Sequence, residues 1–107
     1  MVYMDQIKTT ARALAALGHE ARLDIYRLLV RAGGEGLIIG DIAAHTKIPL
    51  STLAHHLRPL VATGLVTQER RGREVVNRAN FVSMNAALTF LTAECCQGVC
   101  LTREDAA

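Results

Sequence analysis

The sequence predicts a mainly helical fold with a small β-hairpin, and two observations carry that prediction. Gly40 to Thr63 holds two short helical patterns around a tight break, and two β-prone runs around an arginine-rich turn follow directly. The second helical pattern places Leu53, Leu57 and Leu60 at i, i+4 and i+7, the spacing of one buried helix face. Ser51, Thr52, His55 and Arg58 then lie on the opposite, wet face. Composition agrees: the apolar half of the chain is Leu, Ala, Val and Ile, with two Phe, two Tyr and no Trp. Such side chains suit helices packed on helices.

Taken in order, Met4 to Leu17 reads as a first helix, with Met4, Ile7, Ala11 and Leu14 on one stripe and Asp5, Lys8 and Arg12 off it. Gly18-His19 breaks it, and Glu20 opens a second helix to about Arg31. There Glu20, Asp24, Arg27 and Arg31 form a polar stripe among Leu23, Ile25, Tyr26, Leu28, Leu29 and Val30, so most of this helix is expected to be buried. The run Gly33-Gly34-Glu35-Gly36 ends it. Leu37-Ile38 has room for a strand stub only. The first short helix carries Ile42 and Ala43 on one side, the break spans His45 to Pro49, and small Ala43 lets the two helices approach while Ile48 plugs the turn. This is the sequence form of a helix-turn-helix, whose second helix can enter a DNA major groove. An ordinary helical hairpin has the same pattern. Pro59 lies deep in the second helix and removes a donor, which predicts a bend or break near Arg58.

The hairpin favours the DNA-reading version. Thr63-Gly64 closes the helix, and Leu65 to Gln68 and Glu74 to Asn77 read as strands around Arg70-Arg71-Gly72-Arg73. From Leu50 to Arg78 there are five Arg against two Glu, a local +3 that exceeds the +2 of the whole chain. A basic hairpin directly after a helix-turn-helix is a wing, and its arginines can grip backbone phosphates. Asn80 or Ser83 can cap a last helix to about Cys96, with Phe81, Met84, Leu88, Leu91 and Cys95 on one stripe. Leu101 to Ala107 reads as a loose tail. The first and last helices both carry apolar stripes without an evident partner within the chain, which predicts a homodimer built on those two helices.

The 107 residues are the size of one domain, with the helix-turn-helix at about 39–63, the wing at 65–78 and the last helix with its cysteines at 81–100. No run approaches the roughly 18 apolar residues of a membrane span, and no signal-peptide layout opens the chain. Three cysteines, an odd number, lie within six residues, which points to a cytoplasmic thiol site rather than a disulfide framework. An enzyme is not expected, since cysteines at a helix C-terminus face a dipole that disfavours thiolate, and no nucleophile–base arrangement or phosphate loop is present.

With these residues in place, the chain resembles the ArsR/SmtB family of winged-helix metal-responsive repressors, from about Ala13 to Cys96. ALGHEARLDIYRLLV is similar to the family's opening segment, and LSTLAHHLRPLVATGLVTQERRGR to its most diagnostic stretch. The resemblance implies a homodimer that represses transcription until an inducer binds. Carried over residue by residue, it places Leu50, Ser51, Thr52, His55 and Arg58 against double-stranded operator DNA, with Arg70, Arg71 and Arg73 on the wing. His56 matches a position frequent in the family, for either structure or DNA contact. Pro49 stands where a Ser or Asp cap is usual.

The family's inducer sites differ in place. Ile38 to Ile42 lacks the Cys-x-Cys type motif of one arsenic site, and the last helix lacks the Asp and His of a zinc site. ECCQGVC resembles the C-terminal cysteine site of arsenite-responsive members, which implies Cys95, Cys96 and Cys100 as ligands of trivalent arsenic or antimony and no constitutive cofactor. Thiolates select such thiophilic centres, whereas tetrahedral zinc wants four ligands. Neighbouring cysteines on a straight helix point about 100° apart, so both can face one ion only if the helix ends there. Gly98 allows that and can fold Cys100 back. Two other readings stay open: a redox or persulfide switch on the same cysteines, and a winged-helix protein-interaction module that binds no DNA.

Overall fold

The computed structural model describes residues 2–101, so the tail beyond Leu101 lies outside the described residues. The elements run α1 Val2–Leu17, α2 Glu20–Ala32, a single 3-10 turn at Gly33–Glu35, β1 Leu37–Ile38, α3 Ile39–Thr46, α4 Leu50–Ala62, β2 Val66–Arg71, β3 Glu74–Ala79 and α5 Phe81–Thr92. Ile25 and Leu29 of α2, Ile42 of α3, and Leu53, Leu57 and Leu60 of α4 meet Leu65 and Val66 in one core. Helix α2 is buried as its pattern requires, except that Leu23 is half exposed. Its start is capped by His19, whose Nδ1 accepts the Ala21 N–H at 3.1 Å.

The break between α3 and α4 is tighter than expected. Helix α3 continues through His45 and Thr46, and Lys47 turns the chain in the left-handed region at φ 64°. The Thr46 hydroxyl donates to the Ile42 carbonyl and accepts from the Ile48 N–H, which closes the corner. Ile48 packs on the core there, as a plug should.

Helix α4 runs unbroken through Pro59, so of the bend or break expected near Arg58 the break does not occur. The physical reason lies in which side loses its hydrogen bond. Pro59 leaves the carbonyl of His55 without a helical donor, but His55 is exposed and water can replace that bond. Leu53, Leu57 and Leu60, on the buried face, hold the helix on both sides of the proline.

The hairpin is longer than its β-prone runs. Pairing extends from Val66↔Ala79 to Arg71↔Glu74 and leaves Gly72-Arg73 as a two-residue loop, with Gly72 at φ 61°. Strand β1 pairs with β3 to give the order β1-β3-β2. Buried Asn77 ties the three strands: its amide nitrogen donates to Leu37 O, and its Oδ1 accepts from Gln68 Nε2 at 2.8 Å. Gly36 sits against this joint at φ 68°, where a Cβ atom would stand 2.7 Å from the Asn77 carbonyl oxygen. Gly36→Ala is therefore expected to lower stability by about 2–4 kcal/mol, a loss that denaturant unfolding will read directly.

Helix α5 begins as expected, with Asn80 Oδ1 accepting the Ser83 N–H. It stops at Thr92 rather than Cys96. Every residue from Leu91 to Leu101 is exposed, so no burial supports a further turn. Ala13 and Ala16 of α1 belong to the core, Leu17 and Met84 pack against it, and Thr10 and Ala87 are also buried. Of the apolar stripes read from the sequence, Met84 packs against the core, while Met4 and Leu14 on α1 and Phe81, Leu88 and Leu91 on α5 are exposed, as stripes without a partner within the chain should be. Tyr3 and Phe90 meet with tilted rings, centroids 5.8 Å apart, where the two helices approach.

Candidate nucleic-acid interface and thiol pair

With Leu53, Leu57 and Leu60 facing the core, α4 must turn its other side to solvent. Leu50, Ser51, Thr52, His55 and Arg58 all lie exposed on that side. Pro49 supplies no side-chain cap, and the first backbone bond of the helix is Leu53 N to Pro49 O at 2.8 Å. The amides of Leu50, Ser51 and Thr52 thus have no partner inside the helix, and their positive ends suit phosphate oxygens.

In the wing, the structure separates four arginines that the sequence counts alike. Arg70, Arg71 and Arg73 are exposed in or beside the β2–β3 loop. Arg71 makes a loose ion pair with Glu69 at 3.6 Å. Arg78 is committed inside the fold: it reaches Glu69 at 2.7 Å and donates from Nε to Gly34 O at 2.8 Å. These arginines, Arg78 first and Arg71 second, hold the Glu69 carboxyl below the usual carboxylate range. Arg78 therefore braces the wing against the Gly33–Glu35 turn, and three arginines are left for a nucleic-acid surface.

Beyond Thr92 the chain leaves helical geometry, with Glu94 at φ 61°, Cys96 at φ 68° and Gly98 at φ 89°. This irregular turn sets the free thiols of Cys95 and Cys96 side by side. Both thiols are exposed. The hydrogen bond shared with Cys96 holds the Cys95 thiol above its ordinary value, with desolvation a smaller cause. Cys100 is exposed and is not brought to the pair: among the described residues, no three His, Cys, Asp or Glu side chains are gathered to hold a metal ion.

One group beside the recognition face was not legible in the sequence. His19 packs on His56 with ring centroids 4.7 Å apart, and His56 lies 6.0 Å from His55. Arg22, one turn into α2, donates to Ala16 O. The signal that was available is local: a residue before an acidic helix start is a cap candidate, which puts His19 at the α2 entry.

Among the described residues, no helix is long and apolar enough to cross a membrane. The Helix-turn-helix domain family matches residues 17–69. Solved structures resemble the chain over most of its length. An ArsR-like transcriptional regulator from Rhodococcus sp. RHA1 is 29% identical with a TM-score of 0.71, covering 79% of this chain and 77% of its own. A homodimeric winged helix-turn-helix DNA-binding domain from Mycobacterium bovis, described as a possible ArsR-family transcriptional regulator, is 31% identical with a TM-score of 0.64, covering 85% and 81%. A possible transcriptional regulator for arsenical resistance has a TM-score of 0.64, covering 76% and 81%, but at 24% identity it shows the fold alone. No curated protein sequence matches the chain significantly.

Proposed function

The chain belongs to the ArsR family of winged helix-turn-helix transcriptional regulators, and from that premise we propose that it is a homodimeric, cytoplasmic repressor of an arsenic-resistance type operon, released from operator DNA when trivalent arsenic or antimony engages the C-terminal cysteines. The observation that carries this reading is the pair of exposed, neighbouring thiols of Cys95 and Cys96, three residues beyond a helix whose Phe81, Leu88 and Leu91 are exposed. The donor set fits a thiophilic inducer through two sulfurs, and Cys100 becomes a third ligand if the chain turns back at Gly98. Trivalent arsenic bonds sulfur strongly and accepts either two or three thiolates.

The chain's own residues supply the rest. Met4 and Leu14 of α1, with Phe81, Leu88 and Leu91 of α5, cover their counterparts across a two-fold axis. That seam sets the distance between two α4 helices, which must reach successive major grooves about 34 Å apart. Closing Cys95, Cys96 and Cys100 around one centre pulls on the end of α5 and favours a spacing that fits DNA less well. An inducer shifts the equilibrium only by its preference for that state.

The direct test is a gel shift with operator DNA and arsenite, run on the wild type and on the triple Cys→Ser variant. Release of the wild type alone supports the proposal; release of both places the inducer elsewhere. A thiol-based redox or persulfide switch is the second reading, because the paired sulfurs of Cys95 and Cys96 suffice for it without Cys100. Release by peroxide or persulfide but not by arsenite would favour it.

DNA contact has its own expected outcome. Arg71→Ala should weaken binding to every duplex alike and flatten the dependence of log affinity on log salt by about one unit. Ser51→Ala or His55→Ala should instead change which sequence is preferred. Anisotropy titrations across salt concentrations separate the two behaviours, and a chain that binds no duplex is an interaction module.

A further inference from the structure

Two buried polar atoms at the corner of α1, α2 and α4 lack any hydrogen-bond partner: Arg22 Nε and His56 Nδ1. They belong to one basic group. The His19 ring lies tilted against His56 with centroids 4.7 Å apart, and His55 meets His56 edge-on at 6.0 Å. His19 spends its Nδ1 on the Ala21 N–H, so its remaining ring nitrogen, Nε2, carries the proton and is a donor. Arg22 uses only one contact, to Ala16 O at 3.2 Å, and keeps further guanidinium donors.

Among the described residues, no carboxylate forms an ion pair with this group. The charged and titratable groups that bear on His56 are His19 and Arg22 from the start of α2 and His55 from α4 itself. None is a carboxylate, and among the described residues no charged group of α1, α3 or β2, the other elements packed on α4, acts on it. Arg22 Nε and His56 Nδ1 are themselves closed to solvent, so an acceptor from outside meets the donors left at the surface of the group, Nε2 of exposed His19 and the remaining guanidinium N–H groups of Arg22. The group's place decides which acceptor, because His55 belongs to the exposed face of α4 that meets the groove.

We propose that His19, Arg22 and His56 form a second phosphate clasp, which grips the DNA backbone at the edge of the groove that His55 enters. The clasp rests on the DNA-binding reading and adds residues outside the recognition helix face and the wing. It also makes binding depend on pH. In the free protein, burial first and then His19, Arg22 and His55 hold His56 below its ordinary 6.5. The unfolded chain therefore takes up this proton more readily than the folded one, and stability falls as pH drops through that value. A phosphate beside the ring reverses the preference, so the DNA complex takes up the proton that the free protein resists.

The test is a set of anisotropy titrations with a mixed-sequence duplex long enough for two half-sites, at several salt concentrations between about pH 8 and pH 6. Wild type should bind about five- to tenfold more tightly at the acid end, with a steeper salt dependence. His56→Gln should lose most of that gain, and Arg22→Gln should weaken binding at every pH. His19→Asn keeps a cap for α2, so a loss of affinity in that variant at unchanged melting temperature belongs to DNA contact, not to folding. Variants with the wild-type pH profile and salt slope overturn the clasp and leave DNA binding intact. Absence of duplex binding by the wild type overturns the DNA-binding reading and the clasp with it. If ring resonances of His56 shift with inorganic phosphate alone and not with duplex, the group is a free-anion site and the clasp is wrong.

Discussion

Leu91→Asp is expected to leave a folded chain that is monomeric and binds duplex DNA at least about a hundredfold more weakly. Leu88 and Leu91 are 51% and 53% exposed, so replacing either one removes little from the chain's own core. In the dimer proposed above these positions belong to the shared seam, and a carboxylate placed there is buried in an apolar surface. Two reading heads held by one seam bind with the advantage of a tethered second contact, which is where the hundredfold comes from. Sedimentation and circular dichroism report assembly and folding separately, and anisotropy reports DNA affinity. A Leu91→Asp protein that still sediments as a dimer and binds like wild type would move the interface away from α5.

The second large effect concerns the thiols. Cys95→Ser and Cys96→Ser should each raise the arsenite needed for half-release from DNA by about a hundredfold, since the remaining sulfurs lose the chelate advantage of a preformed neighbour. Cys100→Ser should cost less, about tenfold, because this residue has to be brought to the pair from along the chain. The order of these effects is what the geometry dictates. Equal losses at all three positions would mean a trio assembled before the inducer arrives. No loss at Cys95 or Cys96 would remove the basis of the arsenic reading.

Most of the fold was legible because local patterns agreed with one another. Leu53, Leu57 and Leu60 mark the buried face of α4 in the sequence as surely as in the structure. Gly72 between two β-prone runs marks the hairpin, and Asn80 marks the start of α5. The misreadings share a cause, since each concerned a residue whose local preference competes with its surroundings. Pro59 opposes a helix, yet the leucines around it hold the helix and its lost bond faces water. Cys95 continues an apolar stripe, yet nothing packs beyond Thr92 to reward another turn.

By itself, then, the sequence determined the order of elements, the buried faces, the helix-turn-helix with its basic wing, and the cluster of three cysteines at one end. Periodicity, turn residues and charge are properties of neighbours along the chain, and they survive in any folded context. Only the tertiary structure decided that Met84 alone of the α5 stripe turns to the core, that Arg78 is spent within the protein, and that Cys95 meets Cys96 while Cys100 stands apart. It alone placed His19, Arg22 and His56 together beside the reading helix. Such outcomes depend on which distant groups compete for one contact, and that competition is settled only when the chain closes on itself.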